Sequence, residues 1–218
     1  MTAVPVAVLV SGGGTNFQAL LDALRGSSVA RIARVVASRT GAGALERARR
    51  EGNSVSTVVL ADPADPGELV AALGDVPLVV LAGYVKRVPP IAVARFRWRL
   101  INIHPALLPA FGGPGMYGRR VHAAVLASGA ALSGATVHYV DEEYDRGPII
   151  AQWPVPVRPD DTPDTLARRV LEVEHRLLPQ VVLALARLGV PERPVRFSAT
   201  GSAFVMGDEV AINLSQNG

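Results

Sequence analysis

Three groups of residues in this 218-residue chain are of types that move protons or hold anions. The first is Asn102 and His104 in the run LINIH. Two residues apart on a strand, their side chains point to the same side. A histidine there can donate a proton or steady an oxyanion, and the asparagine adds a second donor. Pro105 then breaks the strand. His104 is left at the carboxyl end, where open α/β sheets place their ligands. A histidine satisfied by backbone at a strand end is the plainer reading of the same residue. The second group is the acid-rich run DEEYDRGPII, in which Asp145 stands just before a Gly-Pro turn. A carboxylate near His104 would favour the imidazolium and raise its pKa. Spacing alone does not bring Asp145 there, and a solvated acidic loop fits the run as well.

The third group is SGGGTN at residues 11–16, between an apolar run and a helical pattern. Helix N-terminal amides point outward, and glycines let a phosphate approach them. Thr15 or Asn16 is expected to cap the helix and to donate to a phosphate oxygen. A glycine turn that only connects strand to helix is the bland alternative. The dinucleotide fingerprint is half met, by Gly12 and Gly14, with Phe17 at the third glycine position. Ser38 and Arg39 stand where an acidic residue would receive the ribose, and suit at most a 2′-phosphate. The phosphate-binding P-loop fails too, because Lys86, the only lysine, lies far along the chain. A monophosphate-sized anion site remains.

The elements that must hold these groups alternate. Apolar or β-branched runs predict strands over 6–10, 32–37, 55–60, 78–82 and 100–104. Helical spacing appears over 16–24, 42–50 and 68–73. Strand–helix–strand units at this spacing imply right-handed crossovers and an open, mostly parallel twisted sheet with helices on both faces. After Pro105 the run ALLPAFGGPGMYG reads as an ordered surface loop. A helix over 120–127, strands over 135–140 and 149–157, and a long helix over 164–188 with Pro179 inside it follow. The tail from Val195 suggests a short β hairpin. No linker stands out, so one domain over 1–218 is expected. Its nucleotide-binding half would cover 1–100, its catalytic half 101–190, and its tail 191–218.

Composition excludes several classes. With 49% apolar and 19% charged residues a sizeable core can form. No cysteine is present, which removes disulfide scaffolds and cysteine-ligated zinc. The pI is about 9.8 although the net charge is only +3. All 22 basic residues except Lys86 are arginines, which do not titrate below about pH 12. The pI therefore overstates the surface charge, no run of five basic residues exists, and nucleic acid is not an expected partner. No membrane span and no charged signal region are visible, so a soluble, cytoplasmic protein is expected.

Five segments occur in order over most of the chain: SGGGTNFQALLDA, LAGYVKRV, LINIHPALLPAF, GATVHYVDEEYDRGPII and LEVEHRLLP. Together they resemble the phosphoribosylglycinamide formyltransferases, folate-dependent enzymes of purine biosynthesis with a Rossmann-like formyltransferase fold. The resemblance implies transfer of a formyl group from 10-formyltetrahydrofolate to the amine of glycinamide ribonucleotide. It implies that Gly14, Thr15 and Asn16 hold the ribonucleotide phosphate and that Glu174 holds the glycyl amine. It makes Asn102, His104 and Asp145 the catalytic trio. Val85, Lys86, Arg87 and Val88 match the folate-binding segment, and Asp141, Glu142, Glu143, Tyr144 and Asp145 the loop over the pterin, with Asn102 facing the same ligand. No metal or redox cofactor is implied; folate enters as a co-substrate. A monomer and a homodimer both remain open.

The chain departs from the pattern at Gly13, where relatives often carry asparagine, and in FGGPGMYGRR, from which no residue role is carried over. Methionyl-tRNA formyltransferase and formyltetrahydrofolate hydrolase share the histidine and aspartate, but length disfavours both. An NADP-dependent oxidoreductase leaves Asn102, His104 and Asp145 unexplained, and a nucleic-acid binder needs a basic patch that the chain lacks.

Overall fold

The computed structural model describes residues 2–200, 203–205 and 211–213. The chain divides into two compact units, one of Met1–Asn102 with Leu185–Glu192, the other of Ile103–Ala184 with Arg193–Gly218.

In the first unit, β1 (Val4–Val10) pairs in parallel with β2 (Ala30–Ala37) and β4 (Leu78–Leu81). β2 pairs in parallel with β3 (Ser56–Val59), and β4 with β5 (Leu100–His104). Val6 to Val10 and Leu78 to Val80 have no or almost no exposed surface. Both faces of these strands are covered, which is why they read as unbroken apolar runs rather than alternating ones. β3 is mostly exposed and lies at the sheet edge. The helices α1 (Thr15–Leu24), α2 (Gly43–Arg50) and α3 (Pro66–Leu73) follow β1, β2 and β3. Phe17, Leu20, Leu21 and Leu24 form the buried stripe of α1. Asp65 caps α3 by accepting from the amides of Gly67 and Glu68. A short helix, α4 (Pro90–Arg95), starts on a proline and has no counterpart among the expected elements.

The second unit holds α5 (Arg119–Ala127), β6 (Leu132–Tyr139), β7 (Ile149–Pro156) and most of the 25-residue α6 (Pro163–Arg187). β6 and β7 are antiparallel. Pro179 lies inside α6, where the lack of an N–H removes one rung of the helical ladder without ending the helix. Asp161 organises the start of α6: it receives bonds from Arg169 (2.7 Å), Thr165 Oγ1 (2.8 Å) and the Arg158 amide (2.8 Å). The hydrogen-bonded order of the large sheet is β3-β2-β1-β4-β5-β6-β7. The tail forms three short antiparallel strands, β8 (Ser198–Thr200), β9 (Ala203–Val205) and β10 (Ala211–Asn213), one more than the expected hairpin. No helix among the described residues is long and apolar enough to cross a membrane.

Candidate active site

His104 ends β5 and is buried, 3% exposed. Its ring is held from two sides. Nε2 lies 2.9 Å from the carbonyl oxygen of Phe111, which can only accept, so Nε2–H donates. Nδ1 lies 3.6 Å from Oδ2 of Asp145. A small polar network holds the chain at Ala106 and Leu108, at the base of the glycine-rich loop. Thr136 on β6 donates to the carbonyl of Ala106 and accepts from the Leu108 amide; Gln152 on β7 donates to Leu108 O and Thr136 Oγ1.

Asp145 has its own seat. Its Oδ2 accepts from the Gly113 amide at 2.9 Å. Its backbone φ is 56°, a left-handed conformation that aspartate tolerates better than most residues. The turn that follows closes tightly: a Cβ at Gly147 would stand 1.9 Å from the Tyr139 carbonyl oxygen, so only glycine fits there. Oδ1 of Asp145 faces Nε2 of His138 at 3.6 Å, and His138 is 2% exposed. Nδ1 of His138 donates to the Tyr139 carbonyl at 2.8 Å. One carboxylate thus stands between two imidazoles, each already spending its other N–H on a carbonyl. A neutral ring in either place turns a lone pair toward Asp145, and a protonated one turns a donor.

Electrostatics decide which form dominates. The sequence reading expects Asp145 to raise the His104 pKa; the balance goes the other way. Burial, the largest influence, pushes His104 below its ordinary 6.5, against the upward pull of Asp145 and the Phe111 bond, and His138 pushes it down further. For Asp145 burial is again the largest single influence and would raise the carboxyl. The His138 imidazole, the His104 charge and the Gly113 amide outweigh it, and the carboxyl is held below its ordinary value. His122 on α5 is also buried, and burial followed by the His104 charge lowers it too. Among the described residues no three His, Cys, Asp or Glu side chains are grouped to hold a metal ion.

The other candidates are placed as follows. Asn102 is half-buried on β5, two residues before His104. Gly14 is the N-cap of α1 at φ 75°, and no side chain caps the helix, so the expected capping by Thr15 or Asn16 does not occur. Left-handed Gly14 takes the cap position itself, and a Cβ there would meet the Ala44 Cβ at 2.6 Å. Thr15 is exposed and Asn16 buried at the first turn. Val85, Lys86 and Arg87 are exposed after β4, and Val88 is buried. The Val85 amide donates to Ser11 Oγ, which also receives the Ser38 hydroxyl. Glu142, Glu143 and Tyr144 are exposed, and Asp141 is half-buried and turns the chain by accepting from the Glu143 amide. Glu174 is buried on α6, 7% exposed.

His138 is the member of the cluster that sequence reasoning missed. It stands in GATVHYV, two residues from Thr136, and looks like one more buried position of a strand. The signal was its proximity to the D-x-G-P turn, which folds back onto the end of β6.

Comparison with known proteins agrees with this geometry. The family model described as formyl transferase matches residues 4–182. The chain is 47% identical over 188 residues to the chloroplastic phosphoribosylglycinamide formyltransferase of Arabidopsis thaliana, covering 83% of this chain and 64% of that protein. It is 42% identical over 211 residues to the phosphoribosylglycinamide formyltransferase of Mycobacterium tuberculosis H37Rv, covering 94% and 92%. Among solved structures, that of the Anaplasma phagocytophilum phosphoribosylglycinamide formyltransferase superposes with a TM-score of 0.81 at 32% identity, over 97% of both chains. The chain spans a little under two thirds of the length of its plant relatives. Strand order, the His104–Asp145 pair and these likenesses converge: the chain belongs to the formyl transferase family.

Proposed function

We propose that the protein moves the formyl group of 10-formyltetrahydrofolate to the amine of glycinamide ribonucleotide, giving formylglycinamide ribonucleotide and tetrahydrofolate. The observation that carries the reading is His104 at the end of β5 with its Nδ1 3.6 Å from an ionised, half-buried Asp145. Relatives that bear the acceptor's name, among them one covered over 92% of its length, support the choice of acceptor.

In this reading the acceptor amine attacks the formyl carbon, and the carbonyl electrons move to its oxygen. Asn102 donates a hydrogen bond to that oxyanion, and His104 donates a second once its Nε2–H turns from the Phe111 carbonyl to the substrate; both strengthen as charge develops. Asp145 takes the proton lost by the amine through a water, and His104 gives a proton to the departing folate nitrogen as the C–N bond breaks. A histidine whose pKa is lowered is a stronger acid once protonated, which suits the donor role. Gly14, Thr15 and Asn16 hold the phosphate and Glu174 the glycyl amine. The folate lies against Val85, Lys86, Arg87 and Val88 and under Asp141, Glu142, Glu143 and Tyr144.

The test follows the absorbance change as the folate loses its formyl group, with and without glycinamide ribonucleotide. Acceptor-dependent turnover is expected, with His104→Ala lowering kcat by about 10²–10⁴-fold. Folate deformylation that proceeds equally without an acceptor would instead make the protein a hydrolase.

A further inference from the structure

Three successive carbonyls of the glycine loop between β1 and α1 are held from one side. The carbonyl of Ser11 accepts from Arg39 Nε at 2.8 Å, that of Gly12 from the Ala44 amide at 3.3 Å, and that of Gly13 from Arg47 Nε at 2.8 Å. Arg39 lies just after β2, and Ala44 and Arg47 lie in α2. Arg47 is itself fixed, since its Nη1 donates to Gln18 Oε1 on α1 at 3.1 Å. In a planar trans peptide the C=O and the N–H of the next residue point in opposite directions. Three carbonyls turned to β2 and α2 therefore turn the amides of Gly12, Gly13 and Gly14 the other way. Thr15 and Asn16 follow at the first turn of α1, whose opening amides have no partner within the helix. A Cβ built at Gly12 or Gly13 meets nothing within 4 Å, so the space beside these two residues is open.

We propose that Arg39 and Arg47 are positioning residues for phosphomonoester recognition: they grip the loop by its carbonyls so that its amides stay aimed at the acceptor's phosphate. The proposal rests on the reading of residues 14–16 as the phosphate site. Neither arginine is assigned to the phosphate itself. Their contribution is pre-organisation, with two guanidinium charges adding to a field that favours an anion.

Arg47→Met is tested on two acceptors, glycinamide ribonucleotide and its 5′-dephosphorylated riboside, with folding checked by circular dichroism and Tm. The KM for the ribonucleotide is expected to rise about tenfold. The kcat, the KM for folate and all constants for the riboside are expected to stay within about twofold. Arg47→Lys keeps the charge but not the rigid fork that reaches Gly13 O and Gln18 together, and is expected to recover only part of the loss. An unchanged ribonucleotide KM in Arg47→Met, equal losses on both acceptors, or full recovery by Arg47→Lys would overturn the positioning role. If Arg47→Met does not fold, Arg39→Met at an exposed position is the second variant; a ribonucleotide-specific rise in KM supports the proposal and none overturns it. Wild-type protein that uses riboside and ribonucleotide equally well would remove the phosphate site and the proposal together. Wild type that discriminates while Arg47→Met discriminates equally would remove the proposal alone.

Discussion

His104 is pulled by burial toward the neutral form and by Asp145 toward the charged one, and burial wins. Removing the anion sharpens the imbalance. In Asp145→Asn the His104 ring is expected to titrate at still lower pH than in wild type, read by its imidazole NMR shifts across pH 4–8 (a window set by ordinary histidine titration at about 6.5). A His104 that titrates alike in both proteins would mean that the carboxylate does not act on it. The sequence carried Asn102 and His104 plainly, because spacing of two on a strand before a proline is a local pattern. Asp145 was readable only as a type, since its place depends on the Gly113 amide and on a tight turn closed at Gly147. His138 offered only its nearness to the D-x-G-P turn, since a buried histidine in a strand carries the same pattern whether or not a carboxylate sits beside it.

Elements were legible where their causes are local. The five strands through residue 104 and the three helices between them follow from apolar runs and one-sided spacing, while α4, six residues long, offers too little pattern to be seen. The helix start at Gly14 was misread because a Thr-Asn pair normally caps, and here the left-handed glycine occupies that position. The loop makes a sharp contrast testable by substitution. Gly14→Ala must force a left-handed φ and a 2.6 Å approach to Ala44, and is expected to lose at least about 1–3 kcal/mol of stability. Gly13→Ala meets nothing within 4 Å and is expected to stay within about 0.5 kcal/mol of wild type in urea unfolding. Equal losses would show that the loop is not seated as described. At the other end of the chain, the bonds from Arg169 hold the Asp161 carboxyl far below its usual range. A depressed carboxyl stabilises the fold above its unfolded value of about 3.9 and loses that contribution as pH falls toward the folded value. Arg169→Gln is therefore expected to move the acid-unfolding midpoint, followed by far-UV circular dichroism, to higher pH.

For the molecule as a whole, buried histidines set the response to mild acid. His104 and His122 both have folded values below 6.5, so below that pH the unfolded chain binds more protons than the folded one. Their contribution is complete above about pH 6.5 and is lost as pH falls from there toward their folded values. The Tm is expected to drop between about pH 7.5 and 5.5, and to drop less in His122→Gln; a Tm independent of pH in that window would contradict the burial of uncharged rings. The charge inventory was legible from composition alone, with 22 basic residues of which one is a lysine. That lysine, Lys86, is exposed in the segment after β4. Amine-directed reagents therefore meet a single side-chain target in the whole chain, so a fluorophore or isotopic acyl group can be attached there without engineering. Once the label on the α-amino group is told apart from it, Lys86 is a side-chain reporter for whatever comes to rest on residues 85–88.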